Sequence, residues 1–533
     1  MNNTTMDSSE EAGLKQNNAI GRRILAPLFV YFAAGLQGLT AMASLLFVKE
    51  LLALTAEQIA SVTFWLMLPW SMKIFFGQLA DQYWQRKVPL MATGIGLVAV
   101  SNILMIGLLQ FPSAFGSIEV RGAWYCFVAL LSPLGFVIQD VVADGMTVEI
   151  GKQEHQFGHK LGNNGQIQSL GRIAFLLGML VTWCVNIIMF DDQESLSISD
   201  SVRLYSFMYS IGLLGPCFAT LGLFLAFESD RSRTSAGKPN PFDWGLLLGC
   251  LAYVTIIAIL QAMPFFASNV TALLITILAT ILMIRHLLKG HSMDSLSYRQ
   301  FVGTAIVLWV FNATPEIGPG LHWWQIDKLG FDAKFLSVLN LLGTSLALVA
   351  LFLISRSLCA EFNDAHKIIV ILTILKGFLF LPDICIYYEL HTQFTAITGL
   401  PLSARTIAIA DTACESSLIQ VASVPVLVWV AKHAPRVSMA TFFAAGTSLI
   451  NSSTQCKMLL TQWLNSVFVV SREVCVGDKR ISSDYSALGG LLQTVFFCNL
   501  LLPLAAAFVV SAFLRSEKSR LRCPRNCSKS LKG

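Results

Sequence analysis

Two pairs of acidic residues lie in otherwise apolar stretches of the chain, and the members of each pair are four residues apart. Asp140 and Asp144 belong to GFVIQDVVADGMTVEI, and Asp411 and Glu415 belong to IAIADTACESSLIQ. A spacing of four places two side chains about 40° apart on one face of an α-helix. Carboxylates in this arrangement can hold a proton, a cation or the N–H groups of a bound molecule. Because a carboxylate that faces lipid is costly, we expect both pairs to face a protein interior or a water-filled cavity.

Two basic side chains could pair with the first of these acidic pairs. Lys73 lies in the second apolar segment and Arg172 at the start of the fifth. In a structural interpretation, Asp140 or Asp144 neutralises one of them and holds the helices together. In a functional interpretation, at least one of the two aspartates binds a proton or a substrate. Both interpretations stay open at the level of the sequence, and an ion pair that breaks during a conformational cycle would satisfy both.

A third acidic residue, Glu316, belongs to the stretch NATPEIGPGLHWW, whose Pro and Gly residues predict a break in the seventh helix. Broken helices expose backbone groups that protein, water or a ligand must satisfy, and they tend to line transport sites. Lys376 and Lys457 also lie inside apolar segments. They could snorkel, pair internally or contact a substrate. For Asp411, a wet external rim is the alternative to a substrate or proton site.

The composition places these charges in a membrane protein. Hydrophobic residues make up 55% of the 533 residues and charged residues only 13%, whereas a soluble domain is usually about 25% charged. Apolar runs long enough to cross a hydrocarbon core of about 30 Å recur along nearly the whole chain. The sequence therefore predicts an all-α, polytopic membrane protein.

About fourteen transmembrane helices are predicted, in two sets of six with a two-helix hairpin inserted between them. The predicted order is a cytosolic tail (1–23), an N-terminal six-helix bundle (24–228), a cytosolic linker with the hairpin (229–298), a C-terminal six-helix bundle (299–514) and a basic cytosolic tail (515–533).

Lys and Arg are concentrated in the segments that this arrangement places on one side, and the opposite loop 191–200 contains neither. Because basic residues accumulate in cytoplasmic loops, both termini are predicted to be cytoplasmic, in the plasma (inner) membrane. The net charge of +5 needs no nucleic-acid partner, since the basic tail faces an anionic lipid leaflet. We expect a monomer in the lipid bilayer.

The loop after the second helix, GQLADQYWQRK, contains Gly77, Asp81, Arg86 and Lys87. This spacing resembles the signature loop between helices two and three of the major facilitator superfamily. A glycine lets two helix ends approach, and a carboxylate can meet a helix N-terminus or a basic partner. An ordinary charged turn is the alternative. The resemblance implies two six-helix bundles that rock about a central site, with these four residues in the gate.

Longer stretches resemble the folate-biopterin transporter family. They are LPWSMKIFFGQLAD (68–81), QDVVADGMTVE (139–149), NNGQIQSLGR (163–172), DTACESSLIQVASVPVLVWVAKHAP (411–435) and ATFFAAGTSLIN (440–451). The resemblance implies a secondary active transporter that moves folate or a related pterin by alternating access, and we expect coupling to protons. In one departure, Ser438 and Met439 stand where the family commonly has an acidic residue. This difference weakens the inference of a specific substrate from the family resemblance.

The functional groups of a pteridine match the charged and aromatic residues of this sequence. Its adjacent N–H donors can be accepted by a carboxylate, its flat face can stack on aromatic rings, and the glutamate tail of a folate needs Lys or Arg. The candidate substrate- or proton-binding residues are eight acidic and basic residues in or beside the apolar segments: Asp140, Asp144, Lys73, Arg172, Glu316, Asp411, Glu415 and Lys376.

Other classes of function are less consistent with the sequence. Neither a phosphate-binding G-x-x-x-x-G-K-[ST] loop nor an H-E-x-x-H motif occurs, so we expect no enzyme, no cofactor and no metal site. The bacterial muropeptide permeases share a similar Lys-containing second helix and Asp-containing fourth helix, which makes cell-wall fragments the alternative substrate class. A membrane scaffold or receptor without transport activity is the third possibility.

Overall fold

The computed structural model describes most of the chain. The described residues are 23–52, 56–157, 164–190, 197–230, 243–261, 266–287, 296–354, 374–399, 401–414, 439–472, 474–476 and 479–522. Glu415 and Ser438 lie outside them, as do nearly all of the N-terminal tail and the end of the C-terminal tail.

In the described part of the first half, eight long helices correspond to the first six predicted segments. They are α1 (Arg23–Leu46), α2 (Ala56–Ser71), α3 (Lys73–Gln82), α4 (Lys87–Gln110), α5 (Ile118–Phe157), α6 (Asn164–Met189), α7 (Ile198–Gly212) and α8 (Leu214–Asp230). The second predicted segment is divided, because Pro69 lies inside α2 and interrupts its hydrogen bonding. This division makes Lys73 the first residue of α3.

The second half contains the hairpin and the remaining helices. They are α9 (Trp244–Gln261), α10 (Phe266–Leu287), α11 (Leu296–Ala313), α12 (Pro319–Leu329), α13 (Ala333–Ile354), α14 (Leu381–Tyr387), α15 (Leu390–Thr398), α16 (Met439–Val467) and α17 (Leu488–Arg522), with further helical residues at 374–378 and 404–414. The predicted break of the seventh helix is present between α11 and α12.

Each of the fourteen predicted segments contains helical residues, which confirms the all-α, polytopic class. Within the described part of the chain, seven helices are long and apolar enough to cross a membrane, and two shorter apolar helices form the hairpin. The long helix α16 is not among the seven, because many of its inward-facing residues are polar. Buried polar residues of α16 include Ser448, Ser452, Ser453, Gln455, Thr461, Gln462 and Asn465.

A small β-hairpin between α16 and α17 lies in the connection between two predicted helices, where no strand is predicted. Strands β1 (Val474–Val476) and β2 (Lys479–Ile481) pair antiparallel, and an isolated bridge joins Ser471 to Asp484. The segment lies between two predicted spans and is too short to cross a membrane. Its β-branched residues favour an extended backbone.

The two halves are in contact at the end of the molecule that contains Asp81, here called the Asp81 end. Ala80 of α3 and Val141 of α5 belong to one apolar cluster with Ala440 and Ala444 of α16. A second contact, between α6 and α13, consists of Leu176, Ala347 and Leu351. The helices α2, α3 and α16 therefore bring the Lys73 region of the first half against the second half.

Candidate functional site

A buried charge cluster lies where α1, α3 and α5 meet. Lys73, of which only 3% is exposed, donates hydrogen bonds to the carboxylates of Asp140 and Asp144. The Tyr31 hydroxyl donates to Asp144 Oδ1 at 2.6 Å. The structure thus places one ammonium group between two carboxylates, and a phenol supplies a further donor. Removing one member of such a buried group leaves an uncompensated charge, which is strongly unfavourable.

Thr147, one turn after Asp144 on α5, extends the cluster. Thr147 Oγ1 donates to the Asp144 carbonyl oxygen at 2.7 Å and accepts a hydrogen bond from Gln168 Nε2 at 3.0 Å. Gln168 belongs to α6, so this chain of hydrogen bonds ties α6 to the turn of α5 that carries the carboxylate. Asp144 is consequently held from both sides.

Arg172 of α6 lies on the same cavity wall as the cluster. Its guanidinium carbon is 5.1 Å from the centre of the Phe175 ring, and the side chain interacts electrostatically with Asp140 and Tyr31. The four residues expected from the first half, Lys73, Arg172, Asp140 and Asp144, are therefore brought together.

The cluster lines a cavity of about 690 Å³, within the usual size of small-molecule sites. The lining combines charged groups with hydroxyl and amide groups such as Ser44, Asn102 and Tyr209. Aromatic side chains in the lining are Tyr31, Trp70, Tyr125, Phe175, Trp183, Tyr209 and Phe443. The cavity can accept N–H donors at its carboxylates and can pack a flat ring against aromatic faces.

The candidate residues of the second half lie apart from this cavity. Glu316 forms an ion pair with Lys457 at 2.5 Å. Lys376 donates hydrogen bonds to the Phe311 carbonyl oxygen at 3.0 Å and to Thr314 Oγ1 at 2.9 Å. Asp411 is half-buried in the helical residues 404–414 and does not line the cavity. Of the expected pair Asp411 and Glu415, the structure describes only Asp411.

Two of the four residues predicted to form the gate, Gly77 and Asp81, lie at the contact between α3 and α16. The Asp81 carboxylate accepts hydrogen bonds from the backbone N–H groups of Ala440 (3.1 Å) and Thr441 (2.7 Å). These belong to the first described turn of α16, where a negative charge is favourable. Gly77 faces Ala440 and Ala444 at close range.

The two basic residues of the loop differ from each other. Arg86 is exposed, whereas Lys87 is buried with its ammonium group 4.9 Å from the centre of the Trp84 ring. Trp84 in turn packs near Gly145 of α5. The loop is thus connected to the helix that carries the two aspartates.

Three residues of the site are not identified from the sequence: Tyr31, Thr147 and Gln168. Each is a polar group in a helix with apolar neighbours, and this is a weak signal because such residues commonly bond to their own helix. Thr147 lies three residues after Asp144, on nearly the same face, so helical spacing could have found it. Nothing in the sequence connects Tyr31 or Gln168 to α5.

Comparisons with known proteins agree with this architecture. A folate-biopterin transporter from Synechocystis sp. is 23% identical over 453 residues, covering 84% of this chain and 76% of the relative. A POT family transporter in complex with a thioalcohol-conjugated peptide superposes with a TM-score of 0.60 at 13% identity, covering 93% of this chain and 96% of that one. The proton:xylose symporter XylE, bound to 6-bromo-6-deoxy-D-glucose, gives a TM-score of 0.55 at 12% identity, with the same coverage.

The solved structures establish the fold, which is that of the major facilitator superfamily. The resemblance to folate-biopterin transporters is confirmed by the curated relative and by a family profile. That profile, of the BT1 family, matches residues 34–519. Because the match spans most of its length, the chain belongs to the BT1 family, a family of transporters, and its helices have the fold of the major facilitator transporters.

Proposed function

We propose that this protein is a proton-coupled secondary active transporter that moves folate or a related pterin across a membrane by alternating access. The observation that carries most of this proposal is the Lys73, Asp140, Asp144 and Tyr31 cluster in the wall of a cavity of about 690 Å³. Secondary carriers of this architecture bind their substrate between the two bundles, and intramembrane ionisable groups commonly mark substrate and proton pathways.

The lining chemistry supports a pteridine as the substrate. Carboxylates accept the adjacent N–H donors of a 2-amino-4-oxo ring, and Trp70, Tyr125 and Phe175 present aromatic surface in the same cavity. Arg172 supplies a planar cation that can bind a carboxylate in a bidentate way. The name of the similar Synechocystis protein favours the same substrate class.

The arrangement of the cluster supports proton coupling. Two carboxylates share one ammonium group, so Lys73 neutralises only one of them. Burial and the like charge of the second carboxylate both favour protonation, and neighbouring cations oppose it. A change in access to water alters this balance, and Asp140 or Asp144 can then take up or release a proton during the cycle.

Competition for uptake tests the substrate class. Purified protein in proteoliposomes with an imposed pH gradient should accumulate labelled folate, and unlabelled folate and pterins should compete. S-adenosylmethionine and anhydromuropeptides should not compete. Competition by muropeptides alone would assign the carrier to cell-wall fragments, and absence of all uptake would favour a scaffold or receptor.

Removing the charge of Asp81 is expected to slow transport without removing binding. Asp81→Asn keeps the size of the side chain but weakens its interaction with the N–H groups of α16, by about 0.3–1 kcal/mol for a charge at a helix terminus. We expect initial uptake rates to fall several-fold and equilibrium binding to stay within a few-fold. Asp200→Asn, in the first turn of α7, is the matched control. Loss of binding with an unchanged distribution of conformations would contradict this assignment.

The proposed orientation has both termini in the cytoplasm of a cell whose plasma membrane contains the protein. In a background without the twelve native cysteines, a cysteine at Ser199 should react with an impermeant maleimide in intact cells, since the loop 191–200 is expected outside. A cysteine at Ser530 should react only after permeabilisation. Labelling of Ser530→Cys in intact cells would show the orientation to be wrong.

A further inference from the structure

Side chains of other helices hold the break between α11 and α12 in place. Its residues, 314–318, carry backbone groups that a continuous helix would have paired internally. Side chains from α16 and α17 replace that pairing: Glu316 N donates to Thr461 Oγ1 at 3.0 Å, Asn465 Nδ2 donates to the Ile317 carbonyl at 3.0 Å, and Asn499 Nδ2 donates to the Pro315 carbonyl at 2.8 Å. Backbone groups that are satisfied in this way hold the segment in one position.

The helix after the break is anchored as well. Asp327 of α12 pairs with Arg472 at 3.3 Å and accepts a hydrogen bond from the Tyr485 hydroxyl at 2.6 Å. Both partners belong to the connection between α16 and α17. The break therefore presents the Glu316 side chain from a backbone that is fixed on both sides.

Glu316 is exposed although its neighbours in the break are buried. Its side chain is 54% exposed, compared with 1% for Thr314 and 5% for Ile317. The Lys457 side chain is 20% exposed. An ion pair that reaches water contributes little to stability, so fold stability does not explain why a rigid backbone presents it.

Lys457 continues the face of α16 that lines the cavity. Ile450 lines the cavity, and Lys457 follows seven residues later, which places the two side chains about 20° apart on the helix. The Lys73 cluster is near Ser448, because Ser448 Oγ accepts the backbone N–H of Ile74. Lys457 is nine residues after Ser448, so it lies about 14 Å further along α16.

Lys376 adds positive charge to the same region. Its hydrogen bonds to Phe311 and Thr314 hold it at the end of α11, and its ammonium group is 4.6 Å from the centre of the Phe311 ring. Lys376 also interacts electrostatically with Glu316. Lys457 and Lys376 therefore both contribute positive charge next to the Glu316 carboxylate.

We propose that Lys457 binds the carboxylate of a substrate tail and that Glu316 occupies this position when no substrate is present. This inference rests on the proposed function and refines it, because it specifies a pterin that carries a carboxylate tail in preference to a bare pterin. The ring lies at the Asp140 and Asp144 end, and the tail reaches Lys457. A substrate of this length contacts both halves of the carrier at once.

The exchange conserves charge at Lys457. The substrate carboxylate replaces Glu316 as the partner of the ammonium group, and the Glu316 carboxylate turns to water, to which it is already half exposed. A charge-assisted hydrogen bond forms for each one that breaks. The exchange therefore costs little, whereas a substrate without the carboxylate leaves the Glu316 pair intact and gains nothing from Lys457.

The ratio of folate uptake to biopterin uptake in proteoliposomes tests this inference. Lys457→Met should lower the ratio by about tenfold or more, because the tail carboxylate would then be bound without a partner for its charge. Lys457→Arg should restore most of the ratio. Lys328→Met, which removes an exposed lysine from the nearby helix α12, is the matched control and should leave the ratio unchanged. Direct binding of both compounds to the purified protein provides the same ratio if a variant transports poorly.

A second variant tests whether Glu316 competes with the substrate carboxylate for Lys457. Glu316→Gln should raise the apparent affinity for folate several-fold relative to biopterin, because the internal competitor for Lys457 is gone. An unchanged ratio in Lys457→Met, or an equal loss of both compounds, would overturn the inference and leave the proposed function intact. If the wild-type protein takes up neither compound, the proposed function itself fails.

Discussion

Asp144→Asn is expected to abolish uptake driven by an imposed pH gradient, while the exchange of labelled for unlabelled substrate continues. The amide imitates a carboxylic acid that is permanently protonated, so the carrier can still reorient with substrate but cannot release a proton. We expect accumulation to fall at least tenfold, to the level of simple equilibration. Asp144 is the stronger candidate of the pair because it is only 4% exposed and is bonded to both Tyr31 and Lys73.

The alternative is that Asp144 only neutralises the buried ammonium group. In that case Asp144→Asn should lose both gradient-driven uptake and exchange, since a buried charge without sufficient compensation destabilises the bundle. A second change, Lys73→Met, should then restore them. Asp332→Asn, which removes an exposed carboxylate at the start of α13, controls for the substitution itself. Normal accumulation in a variant with Asn at both 140 and 144 would exclude proton coupling by this pair.

The second large effect is expected at Gly77, where α3 and α16 meet most closely. A Cβ atom at Gly77 would lie 2.6 Å from Ala444 Cβ and 2.8 Å from the Ala440 carbonyl oxygen. Gly77→Val must therefore separate the helices, and overpacking of this kind costs about 1–3 kcal/mol. Because this contact belongs to the conformation closed at the Asp81 end, we expect the population to shift away from it by roughly fivefold to hundredfold.

Spin-label distances can measure this shift. Labels at the exposed residues Gln85 and Leu353, one in each half, should show a longer distance distribution in Gly77→Val than in the wild-type protein. Gly96→Val is the matched control, because no heavy atom lies within 4 Å of a Cβ atom there. Transport should fall in Gly77→Val and persist in the control. Identical distance distributions in both variants would show that the α3 and α16 contact does not govern the conformational equilibrium.

Much of the architecture is determined locally and is therefore readable from the sequence. A hydrophobic run of sufficient length forms a helix in lipid whatever surrounds it, which is why all fourteen predicted segments contain helical residues. Pro and Gly likewise act on their own backbone, and the break around Glu316 occurs where NATPEIGPG predicts it. The angle between Asp140 and Asp144 is also local, because it depends only on the geometry of one helix.

The partners of those carboxylates depend on tertiary structure. Helical spacing gives the face of α5 on which Asp144 lies, but not the rotation and depth of α1 and α3 against that face. Lys73 donates hydrogen bonds to both carboxylates, and Tyr31 adds a contact across 113 positions of the chain. Neither contact has a signal in sequence spacing. Packing between helices decides both.

The motif at Asp81 can be recognised in the sequence, whereas its contact with α16 cannot. The sequence supplied the carboxylate and the glycine with the spacing of a signature loop, because those residue types are needed at a close approach of helix ends. Only the folded chain brought α16, more than 350 positions away, against them. Contacts between distant segments result from the packing of all the helices together, and for this reason the structure, and not the sequence, determines which residues line the cavity and which join the two halves at the Asp81 end.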